Sequence, residues 1–244
     1  KKVEENNFAI RKRLLEYDNV MNSQREVIYK KRRNAIIGER LEVDILNTIF
    51  DTCEDIVLTS KQNENYKDFR LNVLTVLGLD FDKLNEEDFK QKQPEDITRE
   101  LFKAVNENYN NKNKSISEAA YPILKKIKKE RGGVVKDILI PFTDGNRQIG
   151  VSVNLDESLE NNGENIIKEM QKIVSLGMID LNWKEHLREM DDLKQSVQSA
   201  VYEQKDPLVI YKFEGFELFK KFIAKVNQDT VSFLTKCLIP IQNA

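Results

Sequence analysis

Side chains able to carry acid–base or metal chemistry are few and scattered in this sequence. His186 is the only histidine among 244 residues, and the carboxylates of Glu185 and Glu189 lie one and three positions from it. No second histidine and no nucleophilic serine or cysteine in range accompanies them, so neither a zinc site nor a nucleophile–base pair is indicated. A lone histidine in this setting is usually structural or simply solvated. We therefore expect no catalysis at His186.

Phosphate-binding and thiol patterns are also missing. The sequence contains no G-x-x-x-x-G-K-[ST], the loop whose backbone N–H groups cradle nucleotide phosphates. Cys53 and Cys237 stand far apart without C-x-x-C spacing, which favours two reduced thiols over a disulfide framework or a zinc site. We predict a chain that is not an enzyme by itself and that binds no cofactor or metal of its own.

A cluster of cations at residues 30–33, Lys-Lys-Arg-Arg, offers a second kind of chemistry. Clustered cations attract nucleic-acid phosphates or acidic lipid headgroups. The whole chain, however, has 39 Lys and Arg against 41 Asp and Glu, with acids interspersed along the same stretch. A solvated or domain-docking face is favoured, and no nucleic-acid partner is expected. The alternative is a self-contained helical interaction or RNA-binding module, whose affinity for RNA would fall steeply with salt.

Composition indicates the elements that would position these groups. A third of the residues are charged, with nine glycines and five prolines, as in proteins built from long solvent-exposed helices. Residues 8–37 contain neither glycine nor proline, and a narrow seam recurs at steps of three and four. The seam comprises Ile10, Leu14, Tyr17, Met21, Gln24 and Ile28. This pattern predicts one long amphipathic helix of roughly 45 Å.

Targeting and membrane signals are not visible. No run of 18 apolar residues occurs, and the first residues, KKVEENNF, are not followed by an apolar segment. We expect neither a membrane-spanning helix nor a secretion signal. Since the sequence opens without Met and inside a helical pattern, we expect it to be a piece of something longer.

The middle of the chain reads as a small helical subdomain. A helix is predicted over residues 41–58, and Asn85 or Asp82 is a candidate cap within residues 72–89. Three further elements are predicted: a helix from Pro94 toward Asn108, a polar loop at residues 106–115, and a helix capped by Ser117 and ending at Arg131. Residues 134–155 then alternate around Asp144-Gly145, which predicts one β-hairpin that must lean on helices.

Two apolar stripes follow from Glu164 onward, separated by a short polar corner. The first stripe comprises Met170, Ile173, Gly177, Trp183, Leu187, Met190, Leu193 and Val197, and the second Phe216, Phe219, Ile223, Val226 and Phe233. Two such helices joined by a short corner can bury their stripes by folding back on each other. The predicted fold class is mainly α: a long scaffold helix, an antiparallel two-helix hairpin, and a helical subdomain carrying the β-hairpin.

The corner itself, VYEQKDP at residues 201–207, ends in a helix-start signal. Asp206 can accept from first-turn N–H groups, and Pro207 fits the first helical position. Tyr202, Glu203, Gln204 and Lys205 remain for the turn. The Tyr202 ring either tucks against the hairpin with its hydroxyl in water or forms a tip that contacts something apolar and unspecific. Periodicity does not separate these two interpretations.

Two blocks of sequence resemble a known family. Residues 179–219, IDLNWKEHLREMDDLKQSVQSAVYEQKDPLVIYKFEGFELF, and residues 7–29, NFAIRKRLLEYDNVMNSQREVIY, are similar to segments of the SecA family of bacterial preprotein translocase motors, in the family's order. The resemblance implies residues 1–38 as the long helix of the helical scaffold and residues 39–163 as the helical wing domain. The β-hairpin predicted from residue alternation falls within this wing and is a departure from the family's pattern. Residues 164–244 would be the two-helix finger of the scaffold.

The resemblance also implies a function and partners. SecA motors hydrolyse ATP, with Mg²⁺, at two nucleotide-binding domains, and their finger pushes unfolded preproteins through the SecYEG channel. Expected partners are that channel, preproteins, the motor's own nucleotide-binding and preprotein-binding domains, and an acidic phospholipid surface. The expected location is the cytoplasm, peripherally at the inner face of the plasma membrane.

Site residues are carried over from matched positions only. Tyr202, with Glu203, Gln204 and Lys205, matches the fingertip that contacts the moving chain, and Asp206 and Pro207 match the start of the second finger helix. Residues on the long helix would couple the state of the ATPase domains to the finger: Arg11, Arg13, Glu16, Asp18, Asn19 and Arg25. In this chain those side chains are expected to be exposed or satisfied by substitutes.

Overall fold

The computed structural model describes residues 2–38, 40–131, 134–197 and 206–240. Within these ranges the protein is mainly helical, with eight α-helices, one π-helical turn and a single two-stranded antiparallel sheet, which confirms the predicted fold class. In chain order the elements are α1 (Lys2–Ile37), α2 (Leu41–Gln62), α3 (Tyr66–Asn72), the π turn (Val73–Leu77), α4 (Glu86–Gln91), α5 (Pro94–Arg131), β1 (Asp137–Thr143), β2 (Gln148–Asn154), α6 (Leu155–Glu160), α7 (Glu164–Ser196) and α8 (Pro207–Lys236).

The chain forms two compact units. Unit 1 comprises Lys1–Ile37 and Gly177–Val226, and unit 2 comprises Gly38–Leu176 and Asn227–Ala244. Each unit buries its own apolar side chains, so each is described separately. The domain limits inferred from sequence, at residues 38/39 and 163/164, remain predictions.

Unit 1 is built by α1 together with parts of α7 and α8. Near one end of the bundle Ile28 packs with Ile179 and Phe222, and near the other Met190 and Tyr211 pack together. Along this contact the residue numbers increase on α7 while they decrease on α8. The two helices are therefore antiparallel, as predicted. Apolar faces buried between three helices supply most of the stability of such a bundle.

The seam on α1 is shorter than predicted. Gln24 and Ile28 are buried and Tyr17 and Met21 are half-buried, but Leu14 is 53% exposed. Phe216, assigned to the α8 stripe, is 54% exposed. The side chain of Ile10 lies outside what the structure describes. The predicted seam is thus confirmed from Tyr17 to Ile28, where α1 meets partner helices.

Unit 2 gathers its aromatic side chains around α3 and α4. Phe69 lies 5.0 Å from Phe89 and 6.4 Å from Phe81, measured between ring centroids. The amide oxygen of Asn85 accepts from the Asp88 N–H at 2.7 Å, which confirms the predicted cap. Residues 72–89 contain the end of α3, the π turn, an irregular segment and the start of α4.

Helix α5 corrects two predictions. It runs without interruption from Pro94 to Arg131, so residues 106–115 are not a loop and Ser117 is not a helix cap. The reason is tertiary: the polar side chains of the tract are exposed or half-buried, while one side of the helix is buried at helical spacing through and beyond the tract. The buried positions include Val105, Tyr109, Ile116, Ala120 and Leu124. The Ser117 hydroxyl instead donates to the Gly163 carbonyl at 3.2 Å.

The β-hairpin is confirmed, with its turn at the predicted place. Asp144 Oδ1 accepts from the N–H groups of Asn146 and Arg147, at 3.0 and 2.7 Å. Arg147 in turn forms an ion pair with Asp229 at 3.3 Å, within unit 2. The hairpin also leans on the helices, because Phe142 and Val151 are fully buried. Leu155, predicted as a strand residue, instead begins α6.

Gly78 gives a first testable prediction. It ends the π turn with φ of +64°, and a Cβ there would lie 2.6 Å from Cγ of Lys236. Because left-handed backbone and this contact both disfavour a side chain, Gly78→Ala should destabilise the protein by about 1–2 kcal/mol. Gly177, inside α7, is the control, because a Cβ there would meet no neighbouring atom within 4 Å outside its own stretch of helix: Gly177→Ala should stabilise the protein by about 0.5–1 kcal/mol. Urea unfolding of both variants tests this pair, and equal effects would contradict it.

Candidate functional site

A buried hydrogen-bond chain links the three helices of unit 1. The side-chain amide of Gln24 on α1 donates from Nε2 to the carbonyl oxygen of Gly215 on α8, at 3.0 Å. Its Oε1 lies 2.8 Å from Nε2 of His186 on α7. Since an amide oxygen only accepts, His186 Nε2 carries the proton and donates it. We call these three residues the polar link.

Aromatic rings enclose the histidine of this link. The His186 ring lies 4.8 Å from Phe222 and 5.4 Å from Trp183, between centroids. Burial lowers the pKa of His186 from 6.5 to about 4, so its ring is neutral at physiological pH. Nδ1 is buried without a hydrogen-bond partner in the described ranges. His186 is therefore structural, and Trp183 packs as predicted.

Gly215 lets α8 approach its neighbours at the polar link. A Cβ at this position would lie 3.0 Å from Cε of Met190 and 3.7 Å from Cγ1 of Val20. A Cβ here would press on the Met190 side chain of α7 and would reach ordinary van der Waals contact with Val20 of α1. The close approach brings the Gly215 carbonyl within reach of Gln24.

A second contact region lies toward the beginning of α8. The rings of Tyr17 and Tyr211 are 4.9 Å apart, and Tyr211 is buried, which raises the pKa of its hydroxyl to about 12. Asp206 Oδ1 accepts from the Leu208 N–H at 2.9 Å and faces the Arg13 guanidinium at 3.3 Å. The hydrogen bond from Leu208, followed by Arg13, lowers the pKa of Asp206. Helix α8 thus begins at Pro207 with Asp206 at its cap, as predicted from sequence.

The predicted fingertip is not part of the described structure. Tyr202, Glu203, Gln204 and Lys205 lie outside the described residues, between Val197 and Asp206. Their assignment as a substrate-contacting tip stays a prediction.

The predicted coupling residues of α1 lie at the surface. Arg11, Arg13, Asp18, Asn19 and Arg25 are exposed and Glu16 is half-buried. Their contacts are local or to α8: Arg11 donates to the Asn7 carbonyl and Arg25 to the Asn22 side chain, each at 3.3 Å. The structure brings Glu16 and Asn19 together with Lys212 on the wall of an open groove of about 500 Å³. Their coupling role stays a prediction.

Part of the cationic cluster at residues 30–33 is engaged in contacts within unit 1. Arg32 forms an ion pair with Asp180 on α7, and Lys31 and Arg32 are both half-buried. Lys30 and Arg33 remain exposed. This arrangement supports a helix-docking role for the cluster, and it weakens the alternative of a continuous RNA-binding surface.

Metal and thiol chemistry find no support in the described ranges. No group of three or more His, Cys, Asp or Glu side chains there could hold a metal ion. Cys53 and Cys237 are free and buried, and burial raises their thiol pKa values to about 12 and about 11. Buried thiols with raised pKa are poor nucleophiles. Across the described residues, no helix combines the length and apolar character that crossing a membrane requires.

The fold and the link define a class of protein: a helical scaffold in which a long helix is bonded to an antiparallel helical hairpin. The chain belongs to the SecA family, since the family model "SecA Wing and Scaffold domain" matches residues 1–238. It is 51% identical over 243 residues to the protein translocase subunit SecA of Cytophaga hutchinsonii, covering 100% of this chain and 22% of that protein.

Other relatives give the same result. Identity is 47% to the protein translocase subunit SecA of Christiangramia forsetii and 45% to that of Porphyromonas gingivalis, each over 244 residues. Both alignments cover 100% of this chain and 22% of the relative. The chain therefore spans about a fifth of the length of the relatives it matches.

Proposed function

We propose that this chain is the scaffold and two-helix-finger part of an ATP-driven preprotein translocase motor, whose finger pushes unfolded preproteins through the SecYEG channel. The observation that carries the proposal is the attachment of α1 to the hairpin at three successive levels. These are the Arg13–Asp206 pair, the polar link and the Arg32–Asp180 pair. Membership of a family whose relatives are named translocase subunits supports it.

Three attachment levels suit the transmission of force. The two ion pairs are largely exposed and each contributes little to stability, so they bring the helices together without fixing their register. The middle level is buried, and breaking it leaves unpaired polar groups, which disfavours sliding of α1 along the hairpin. A displacement of α1 would then move the hairpin with it.

The energy source lies outside this chain. The sequence has no phosphate-binding loop of the kind that cradles ATP and its Mg²⁺. In the proposal both are bound by nucleotide-binding domains elsewhere in a longer protein. Residues at the surface of α1 would receive their signal: Arg11, Arg13, Glu16, Asp18, Asn19 and Arg25.

The proposed fingertip consists of Tyr202 and the three residues that follow it, Glu203, Gln204 and Lys205. An aromatic ring with a polar end grips a polypeptide by apolar and backbone contact without reading its sequence. Such a grip suits a motor that moves many different substrates. The family resemblance of the surrounding motif supports this assignment.

Further partners and the location follow from the same proposal. The chain would meet the SecYEG channel, unfolded preproteins and the motor's own nucleotide-binding and preprotein-binding domains. An acidic phospholipid surface is a further candidate partner, with Lys30 and Arg33 as exposed cations. The protein would act from the cytoplasm, peripherally at the inner face of the plasma membrane.

Site-specific photocrosslinking tests the proposal. A photoreactive residue at position 202 of the full-length protein should crosslink to a preprotein stalled in the channel. The same probe at the exposed position Arg25 on α1 should give no such crosslink. Crosslinks from position 25 and none from 202 would place the substrate path along the long helix and overturn the fingertip assignment.

A further inference from the structure

An apolar groove in unit 2 lies between α5 and β1. Its volume is about 740 Å³, and its walls include Ile116, Leu124 and Ile140, which are buried, and Ile123, which is 56% exposed. This volume falls in the range of sites that bind ligands. Apolar side chains open to solvent in a concave surface are typical of a recognition site.

One wall of the groove is the edge of β1 that faces away from β2. Thr143 exchanges two backbone hydrogen bonds with Leu238, at 2.9 and 2.7 Å, on the side of β1 away from β2. Because strand residues alternate, the backbone groups of Pro141 and Leu139 also point to that side. No described residue pairs with the Leu139 backbone there.

The chain itself shows how the edge can be used. Leu238, Ile239 and Pro240 line the groove, and Leu238 forms one antiparallel bridge to the end of β1. This short extended segment is apolar and uncharged. Its docking mode, backbone pairing with side chains in the groove, is that of strand addition to an exposed edge.

We propose that the groove binds an extended, uncharged peptide segment of another polypeptide, which adds as a strand to the edge of β1 away from β2, at Leu139, and places apolar side chains against α5. This site goes beyond the proposed function and does not depend on it.

The charges of the groove select this occupant. Among the described residues on its walls, Lys112 alone is cationic, and its Nζ donates to the Thr235 carbonyl at 2.8 Å. None of the wall residues that the structure describes is acidic. A charged peptide would lose its hydration without gaining a partner, whereas an apolar one buries its side chains. Pro141 lacks an N–H, which limits extended pairing between two copies of β1.

The test uses the 244-residue chain and a fluorescent, end-capped peptide of alternating threonine and leucine. We expect saturable binding, no binding of the matched threonine–aspartate peptide, and protection of the Leu139 amide from hydrogen exchange when the peptide is bound. Leu139→Pro removes the backbone N–H that points away from β2. This N–H takes no part in the β1–β2 hydrogen bonds, so the hairpin keeps them, and peptide binding should weaken about tenfold. Leu139→Ala keeps the N–H and is its control.

A second variant separates groove binding from a folding defect. Ile123→Glu places a charge on the α5 wall and should also weaken binding about tenfold or more. Leu71→Glu, at an exposed position of α3 outside the groove, should bind as the unmodified chain does. Unchanged affinity of both Leu139→Pro and Ile123→Glu would overturn the proposal. So would a Leu139 amide already protected without peptide, because the chain's own polypeptide or a second copy would then cover the edge.

Discussion

Tyr202→Ala in the full-length protein is expected to lower preprotein transport about tenfold or more, while ATP hydrolysis without preprotein continues. The ring is the proposed grip on the moving chain, and losing about 1.4 kcal/mol of contact per stroke corresponds to a tenfold effect. Deleting residues 200–206 should stop transport altogether, because it removes the tip and the Asp206 cap. Transport of a preprotein into membrane vesicles, measured beside phosphate release, is the test.

Two control variants make this result specific. Tyr202→Phe keeps the ring and should retain most transport, because apolar contact rather than the hydroxyl is proposed to act. Phe213→Ala removes an exposed ring on α8 away from the corner and should leave transport intact. Full transport by Tyr202→Ala would show that the ring merely tucks against the hairpin. Loss in Tyr202→Phe as large as in Tyr202→Ala would assign the role to the hydroxyl.

Much of the fold could be predicted because its signals are local. The Asp206-Pro207 helix start, the Asn85 cap and the Asp144-Gly145 turn each act within a few residues, and each appears in the structure where the sequence placed it. Helical spacing likewise identified α1, α7 and α8. The antiparallel hairpin followed from two apolar stripes and a short corner.

The errors arose where tertiary packing overrides local composition. The asparagine-rich tract at residues 106–115 looked like a loop, yet burial of Tyr109 and Ile116 on the other side keeps it helical. Leu14 and Phe216 fit the helical spacing but face solvent, because periodicity does not say where a neighbouring helix ends.

The polar link was missed for a related reason. Gln24 was placed in the apolar seam and His186 was recognised as the lone histidine, but 162 positions separate them, so no local pattern pairs them. The sequence did contain one indication of the pair: Gln24 and His186 are each a polar residue on the side of a helix that is predicted to be buried. Because buried polar groups need partners, that signal could have suggested the pair without fixing its geometry.

Replacing the partners of the polar link should reveal their coupling. At pH 7, His186→Leu leaves Gln24 Oε1 buried without its donor, and Gln24→Leu leaves His186 Nε2 without its acceptor; each should lower the free energy of unfolding by about 1–3 kcal/mol. The double variant removes both polar groups and should lose about 1 kcal/mol less than the sum of the single losses. Urea unfolding of the four proteins measures this cycle.

The same histidine should make unfolding sensitive to pH. Its folded pKa of about 4 lies below the unfolded value of 6.5, so its neutral form is the one that the fold favours. The stability it contributes is fully present above pH 6.5 and is lost as the pH falls toward 4, by about 3 kcal/mol in total. His186→Leu should lack this component, so the difference in stability between the unmodified protein and this variant should shrink over that window.

Measuring the double-variant cycle at pH 7 and again at pH 4.5 distinguishes a buried Gln24–His186 hydrogen bond from a histidine that water reaches. Protonation adds a proton at Nδ1, which faces no acceptor in the described ranges, so acid weakens the link through burial of charge. An additive cycle at pH 7 with a pH-independent stability difference would mean that water reaches His186 and that Gln24 does not bridge the helices. Attachment of α1 to the hairpin would then rest on exposed ion pairs, which are too weak to hold a register under load.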